Sequence, residues 1–497
     1  MTTKVTEEQE MSDRNGDDDR TETSAVSLEE ATAEVHVGDS IYDAANILEA
    51  AYPGLMCIGK DWYLPQNGVY QLYDTNLIGP KALSVLTKEK QTAHCARAVI
   101  DTLEMRKQVP RDTLRSFARF ENHERSQVLL CCGNGVLRVT PDVIELLPHS
   151  LDYAFGRQLA ANYRPEAKCP LFINTIRTAL PDKNDRDLAH AFSAYTLYPA
   201  NDIQVFLICY GESGTSKTTI WHGYTSAIGE ASITRIGFPE LCGNGNGYSL
   251  PSLERTALNL GAEAPQGELQ ESDVLKLLVE GAPIKVRSIY ERPRTMHDYH
   301  MKIVVLGNYI PRFKSGTTAE LRRLRILHFQ HQHGQSDPTL EARIALERDG
   351  IFSRCMVPWL KWLLRERQIP MGGVAAQRLY SRYKTTHDPY GTFIKECCDL
   401  DRRTDDVNCL SDTKDRIFGA FECFIERNDL ADGLREERWF FRRLRERVPH
   451  LKNSRPGSSD GQRERRLVGI RVKEGVTTEP HSISVNERHN TRQQLDY

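Results

Sequence analysis

Gly211-Glu-Ser-Gly-Thr-Ser-Lys-Thr-Thr219 is the stretch whose reading decides the fold. The apolar run before it, Val205-Phe-Leu-Ile-Cys-Tyr210, has the length and composition of a buried parallel strand. Residues 220–228, after it, read as a helix. Strand, glycine-bearing loop, Lys-Thr and helix is the layout of a phosphate-binding P-loop. In such a loop, backbone N–H groups and the helix N-terminus wrap the phosphates. Lys217 is placed to reach the β/γ oxygens and the Thr218 hydroxyl to hold Mg²⁺. The candidate nucleotide-binding set is therefore Gly211, Glu212, Ser213, Gly214, Thr215, Ser216, Lys217, Thr218 and Thr219. One position departs from G-x-x-x-x-G-K-[ST]: Ser216 stands where the last glycine is expected. Serine is the next smallest choice, so the backbone keeps its approach to phosphate at some strain.

Composition bounds the rest. A chain of 497 residues has room for about three domains. It contains no run of ~18 apolar residues that would span a bilayer, and its acidic, polar start is unlike a secretory signal. The twelve cysteines include no C-x-x-C pair, and no Cys/His cluster has zinc spacing. Scattered cysteines of this kind fit a reducing cytoplasm.

Five segments follow from patterning. Residues 1–36 are an acidic tail of disordered composition, and 37–170 an α+β domain with a hairpin turning at Asn67-Gly68. Residues 171–370 carry the P-loop, 385–475 form a smaller basic domain, and 476–497 are a polar tail. Within 171–370, a strand over 256–263 ends in Glu263, where a P-loop ATPase needs a carboxylate to activate water. A helix is expected over 269–278, then a hairpin over 284–301 bearing Lys285, Arg287, Arg292 and Arg294. A third buried strand, 301–306, leads to Asn308, which at a strand end can orient the hydrolytic water. The pair Arg322-Arg323 reads either as a solvated helix end or as an arginine finger supplied to a neighbouring subunit.

In the basic domain, three helices (393–398, 413–427, 437–448) precede strands at 451 and 467–472, the order of a winged helix. From Arg435 to Lys473 there are thirteen Lys/Arg against five Asp/Glu. The last helix sets Phe and Leu opposite an arginine face that includes Arg442 and Arg443, suited to phosphate contacts in a groove. A merely solvated basic face is the plainer alternative.

With these parts in order, the chain resembles the phage/plasmid primase–helicase family, whose motor is a superfamily 3 helicase of AAA+ type. The resemblance rests on Asn134-Gly-Val-Leu-Arg-Val139, Asn162-Tyr-Arg-Pro-Glu-Ala-Lys-Cys-Pro170, the P-loop, Ala257–Glu263, Leu275–Arg287, Gly307-Asn-Tyr-Ile-Pro311 and Leu321–Phe329. It covers residues 120–330 most strongly. Ser213, Thr215 and Ser216 replace that family's usual Gly, Asn and Gly, and Ala262 stands where many P-loop motors carry an Asp for Mg²⁺. The fold class implied is an α/β P-loop NTPase flanked by an α+β N-terminal domain and a C-terminal winged helix. The resemblance implies a cytoplasmic, homohexameric ATPase using ATP and Mg²⁺ and moving on single-stranded and forked DNA, usually 3′ to 5′, alongside a separate primase and no membrane. The alternative is a non-hydrolysing ATP- and DNA-binding replication or defence factor with a degenerate P-loop.

Overall fold

The computed structural model describes residues 38–243, 245, 247–262, 268–269, 273–288, 292–297, 299–313, 322–332, 337–403, 409–430, 434–454 and 465–479. The expected tails lie largely outside this set. Two compact units divide the chain: Met1–Arg115 with Ser150–Arg157, and Ser116–His149 with Gln158–Tyr497.

In the first unit, helices Ile41–Ala51, Thr75–Ser84 and Ala93–Lys107 bury Ala44, Leu48, Ala82, Val99 and Leu103 against Trp62. Ser40 and Thr92 start two of these helices by accepting the N–H of Asp43 and Cys95 on their hydroxyls. The hairpin joins Asp61–Gln66 to Val69–Tyr73. Both turn residues, Asn67 (φ 51°) and Gly68 (φ 79°), are left-handed, as a two-residue turn between twisted strands requires.

The second unit is built on five parallel strands: β1 (Phe206–Tyr210), β2 (Ile233–Thr234), β3 (Leu258–Ala262), β4 (Lys302–Gly307) and β5 (Leu324–His328). Their spatial order is β5-β1-β4-β3-β2, so the first strand lies between the last two. Alternation divides β1, β4 and β5 between two cores. Leu207, Cys209, Val304 and Leu327 face one, with Phe172, Leu188, Trp221 and Leu360. Phe206, Ile208, Val305 and Ile326 face the other, with Leu275, Leu278 and Tyr383. Burial on both faces is why these strands read as unbroken apolar runs.

Two expectations change here. The helix expected over 269–278 is Asp273–Glu280, and Glu268–Leu269 instead pairs in parallel with Arg312–Phe313. The helix begins only where Leu275, Leu278 and Val279 supply a buried stripe. The antiparallel sheet spanning Ala118–Phe120, Val128–Cys132, Gly135–Val139 and Ile144–Leu147, grouped above with 37–170, packs in the second unit. Its Val128, Leu130, Cys132 and Leu137 share a core with Phe172, Phe352 and Leu360.

Toward the C-terminus, helices Pro389–Cys397, Lys414–Arg427 and Glu437–Arg447 enclose Phe393, Phe421, Phe424 and Phe440. Rings Phe421 and Phe440 stack with centroids 4.4 Å apart. Lys452–Ser454 and Arg466–Val468 pair antiparallel, and Ser411–Thr413 adds a third strand on the far side. Among the described residues, no helix is long and apolar enough to cross a membrane.

Candidate nucleotide-binding site

Register sets the ends of three strands level: Tyr210 of β1 pairs with Gly307 of β4 and with His328 of β5. The chain leaves β1 there through the loop Gly211–Ser216 and enters the helix Lys217–Ile228. The carboxyl ends of parallel strands, at the point where strand order reverses, are where open α/β sheets bind ligands.

Each loop residue has a definable task. A Cβ on Gly211 would lie 2.3 Å from the Phe329 carbonyl oxygen, so only glycine fits between β1 and the end of β5. Thr215 is buried and its hydroxyl donates to the Glu212 carbonyl at 2.8 Å, bracing the loop from within. Ser213, Gly214 and Thr218 are exposed along the rim. Ser216 is left-handed (φ 64°, ψ 19°) and makes no side-chain cap to the helix it precedes.

That backbone conformation costs a non-glycine residue roughly 1–2 kcal/mol, partly offset by the greater freedom glycine has when unfolded. Ser216→Gly is therefore expected to stabilise the fold by roughly 0.5–1 kcal/mol, read from the denaturant midpoint. A loss of stability would mean that the serine hydroxyl contributes more than the backbone strain costs.

Lys217 is buried, and burial pushes its pKa below the ordinary lysine range. Its ammonium donates to the carbonyls of Gly211 and Glu212, both at 2.6 Å, and reaches the Thr215 hydroxyl at 3.2 Å. It also donates to Asn308 Oδ1 at 3.3 Å, so two candidates 91 residues apart in sequence meet at the ends of β1 and β4. A cation ringed by oxygen acceptors beside a helix N-terminus and an open loop rim fits a polyphosphate ligand. Among the described residues, no group of three or more His, Cys, Asp or Glu is arranged to hold a metal.

Two neighbours of the loop carry no sequence signal. Gln332 donates from Nε2 to the Glu212 carboxylate at 2.7 Å and to the Ser213 carbonyl at 3.4 Å. Glu341 accepts from the Thr219 hydroxyl at 3.1 Å. Gln332 lies in a polar stretch after β5 with no periodicity to point to it, and Glu341 in the short helix Leu340–Ala345.

The remaining candidates sort by environment. Glu263, the residue after β3, lies outside the described residues. Arg322 is exposed, whereas Arg323 is 4% exposed and its guanidinium is ion-paired with Glu280. Only Arg322 therefore points outward. In the hairpin, Lys285, Arg287 and Arg292 are exposed. Arg287 lies over the Tyr248 ring, 5.8 Å from its centroid. Arg294 is half-buried and grips Glu254 through two bonds, at 2.8 and 3.1 Å, which makes it a fastener for the hairpin. On the Glu437–Arg447 helix, Phe440, Phe441 and Leu444 are buried while Arg442 and Arg443 are exposed. These two arginines pair with Glu446 at 3.3 and 2.9 Å, and Arg442 also lies over the exposed Trp439 ring.

The sequence matches no protein-family model and no curated protein. Among solved structures, this chain is similar to the A form apo structure of the NrS-1 C-terminal region. The TM-score is 0.50 at 10% identity, over 87% of this chain and 100% of that one. Two further apo structures of that region give TM-scores of 0.48, at 11% and 10% identity, with the same coverage. At such identities the likeness describes a shared fold.

Proposed function

We propose that this chain is an ATP-driven DNA helicase of superfamily 3, acting in the replication of a phage, plasmid or integrated element. The observation that carries the reading is the Lys217 ammonium held between the carbonyls of its own loop and Asn308 across adjacent strand ends. In this reading the second unit is an AAA+-type P-loop core and 385–475 is a winged helix. The parallel strand order and the three-helix, antiparallel-strand layout support both assignments.

In the proposed mechanism, Lys217 and the loop amides from Gly211 to Thr219 hold the phosphates, and Thr218 supplies the hydroxyl for Mg²⁺. Mg²⁺ held there would supply neutralisation of the phosphate charge. Glu263 takes the proton of the attacking water, and Asn308 orients that water. Arg322 reaches the site of a neighbouring copy in a ring and meets the charge that develops there. Lys285, Arg287 and Arg292 follow the backbone of single-stranded DNA, and Arg442 and Arg443 meet duplex phosphates at a fork. A separate primase and a cytoplasmic setting belong to the same proposal.

Two observations favour a second reading. Ser216 holds a glycine conformation without being glycine, and Ala262 stands in place of an acidic residue. A non-hydrolysing factor that binds ATP and DNA would tolerate both. Hydrolysis of ATP by the purified full chain, with and without single-stranded DNA, separates the two. The motor reading expects turnover that DNA raises several-fold. No turnover beside intact DNA binding would leave the second reading standing.

A further inference from the structure

Asn162–Pro170, one of the stretches singled out in the sequence, is gripped along its length by residues 347–355. Asp349 accepts the Asn162 backbone N–H at 2.8 Å and its side-chain amide at 3.2 Å. Ser353 Oγ accepts the N–H of Arg164 at 2.9 Å, and the Arg354 guanidinium donates to the Ala167 carbonyl. Gly350 allows close approach, since a Cβ there would lie 2.5 Å from the Lys168 carbonyl oxygen. Glu347 then caps the helix Pro170–Ala179 by accepting the N–H groups of Leu171 and Phe172 at 3.1 and 2.9 Å. Cys169, at the N-cap itself, makes no capping bond. Its sulfur instead lies 3.9 Å from that of Cys355. Both thiols are free and each is 2% exposed.

We propose that Cys169 and Cys355 are a redox-modification site, a thiol pair that a peroxide-class oxidant converts to a disulfide, stapling the 162–172 segment to the helical stretch 348–356. The hydrogen bonds around them hold both backbones side by side, and the sulfurs have to close from 3.9 Å to the ~2 Å bonding distance. Cys169 is the attacking sulfur. It sits at a helix N-terminus, and the hydrogen bond from Cys355 holds its pKa below the ordinary thiol range while the same contact pushes Cys355 up. Arg354, next to Cys355 in sequence, is exposed, whereas both sulfur-bearing residues are buried.

The steps balance. The Cys169 thiolate attacks one peroxide oxygen, the O–O bond breaks, and hydroxide leaves and is protonated to water. Cys169 is now a sulfenic acid. The Cys355 sulfur displaces its hydroxyl, which departs with the Cys355 proton as a second water while the S–S bond forms. Two thiols are oxidised and one peroxide is reduced to two waters.

The test uses the purified full chain, reduced and then exposed to hydrogen peroxide. It is digested without reductant and mapped by mass spectrometry. A cross-linked pair of peptides containing Cys169 and Cys355, two hydrogens lighter than their sum, is expected. The thermal midpoint should rise by on the order of 5 °C and fall back with dithiothreitol. Cys355→Ser should show neither effect, and Cys355→Ala serves where a buried hydroxyl is not tolerated. Peroxide that modifies the partly exposed Cys95, Cys409 and Cys423 but never joins Cys169 to Cys355 overturns the proposal. An equal rise in midpoint in Cys355→Ser overturns it too.

Discussion

Lys217→Ala is expected to lower ATP turnover by on the order of 10³-fold while leaving the fold in place. One ammonium serves two roles, one structural and one proposed. In the structure it donates to the Gly211 and Glu212 carbonyls; water can replace the second, beside the open Glu212, Ser213 and Gly214, and the cost of burying the charge offsets the first. Removing it therefore costs little stability. Its proposed role, meeting negative charge that develops on a phosphoryl group, would have no substitute in the loop, since no other Lys or Arg lies between Gly211 and Thr219. Steady-state hydrolysis, paired with a denaturation curve and a DNA-binding isotherm, checks the prediction. Full turnover in the variant would remove Lys217 from the chemistry and the motor reading with it.

The adjacent arginines should part company just as sharply. Arg322 is exposed and Arg323 is buried against Glu280. Arg322→Ala is expected to cut turnover by roughly 10³-fold or more with stability changed by less than about 0.5 kcal/mol. Arg323→Ala removes one partner of a buried pair and strands the Glu280 charge, at a cost of roughly 3 kcal/mol. Because Glu280 retains some access to solvent, the low end of the range for such pairs applies. A mixing experiment shows whether Arg322 acts between copies. Subunits carrying Arg322→Ala and subunits carrying Lys217→Ala are each inactive alone, but together they form some interfaces with both residues intact. Recovery of turnover on mixing is the expected result. Complementation that fails while both variants assemble would place Arg322 outside the site.

Sequence carried the local part of this architecture. Runs such as residues 205–210 and 301–306 are apolar because both faces of the sheet are covered, so the strands were legible without any partner. The glycine-bearing loop and the helix behind it were legible for the same local reason. Environment was not. Lys285 and Arg294 look alike on a basic hairpin, yet one faces solvent and the other is bonded to Glu254, 40 residues upstream. Arg322 and Arg323 look alike until Glu280 is placed. Gln332 and Glu341 reach the loop only because β5 returns beside β1, a pairing that no window of sequence contains. The Ala118–Leu147 strands show the same limit: the residues that cover their sheet arrive only with Phe352 and Leu360, far downstream.

The position of β1 between the last two strands also bears on how the chain is made. At roughly 5–20 residues per second, a ribosome delivers β1 on the order of ten seconds before β5, the partners Glu212 and Gln332 being 120 residues apart. Until then the emerging sheet has no neighbour on one side of its first strand, and Gly211 has no Phe329 carbonyl to lie against. The loop thus takes its final shape last, although it is synthesised before four of the five strands. Such long-range pairing slows folding, and an incomplete chain halted before β5 presents an open strand edge to chaperones and to other nascent chains.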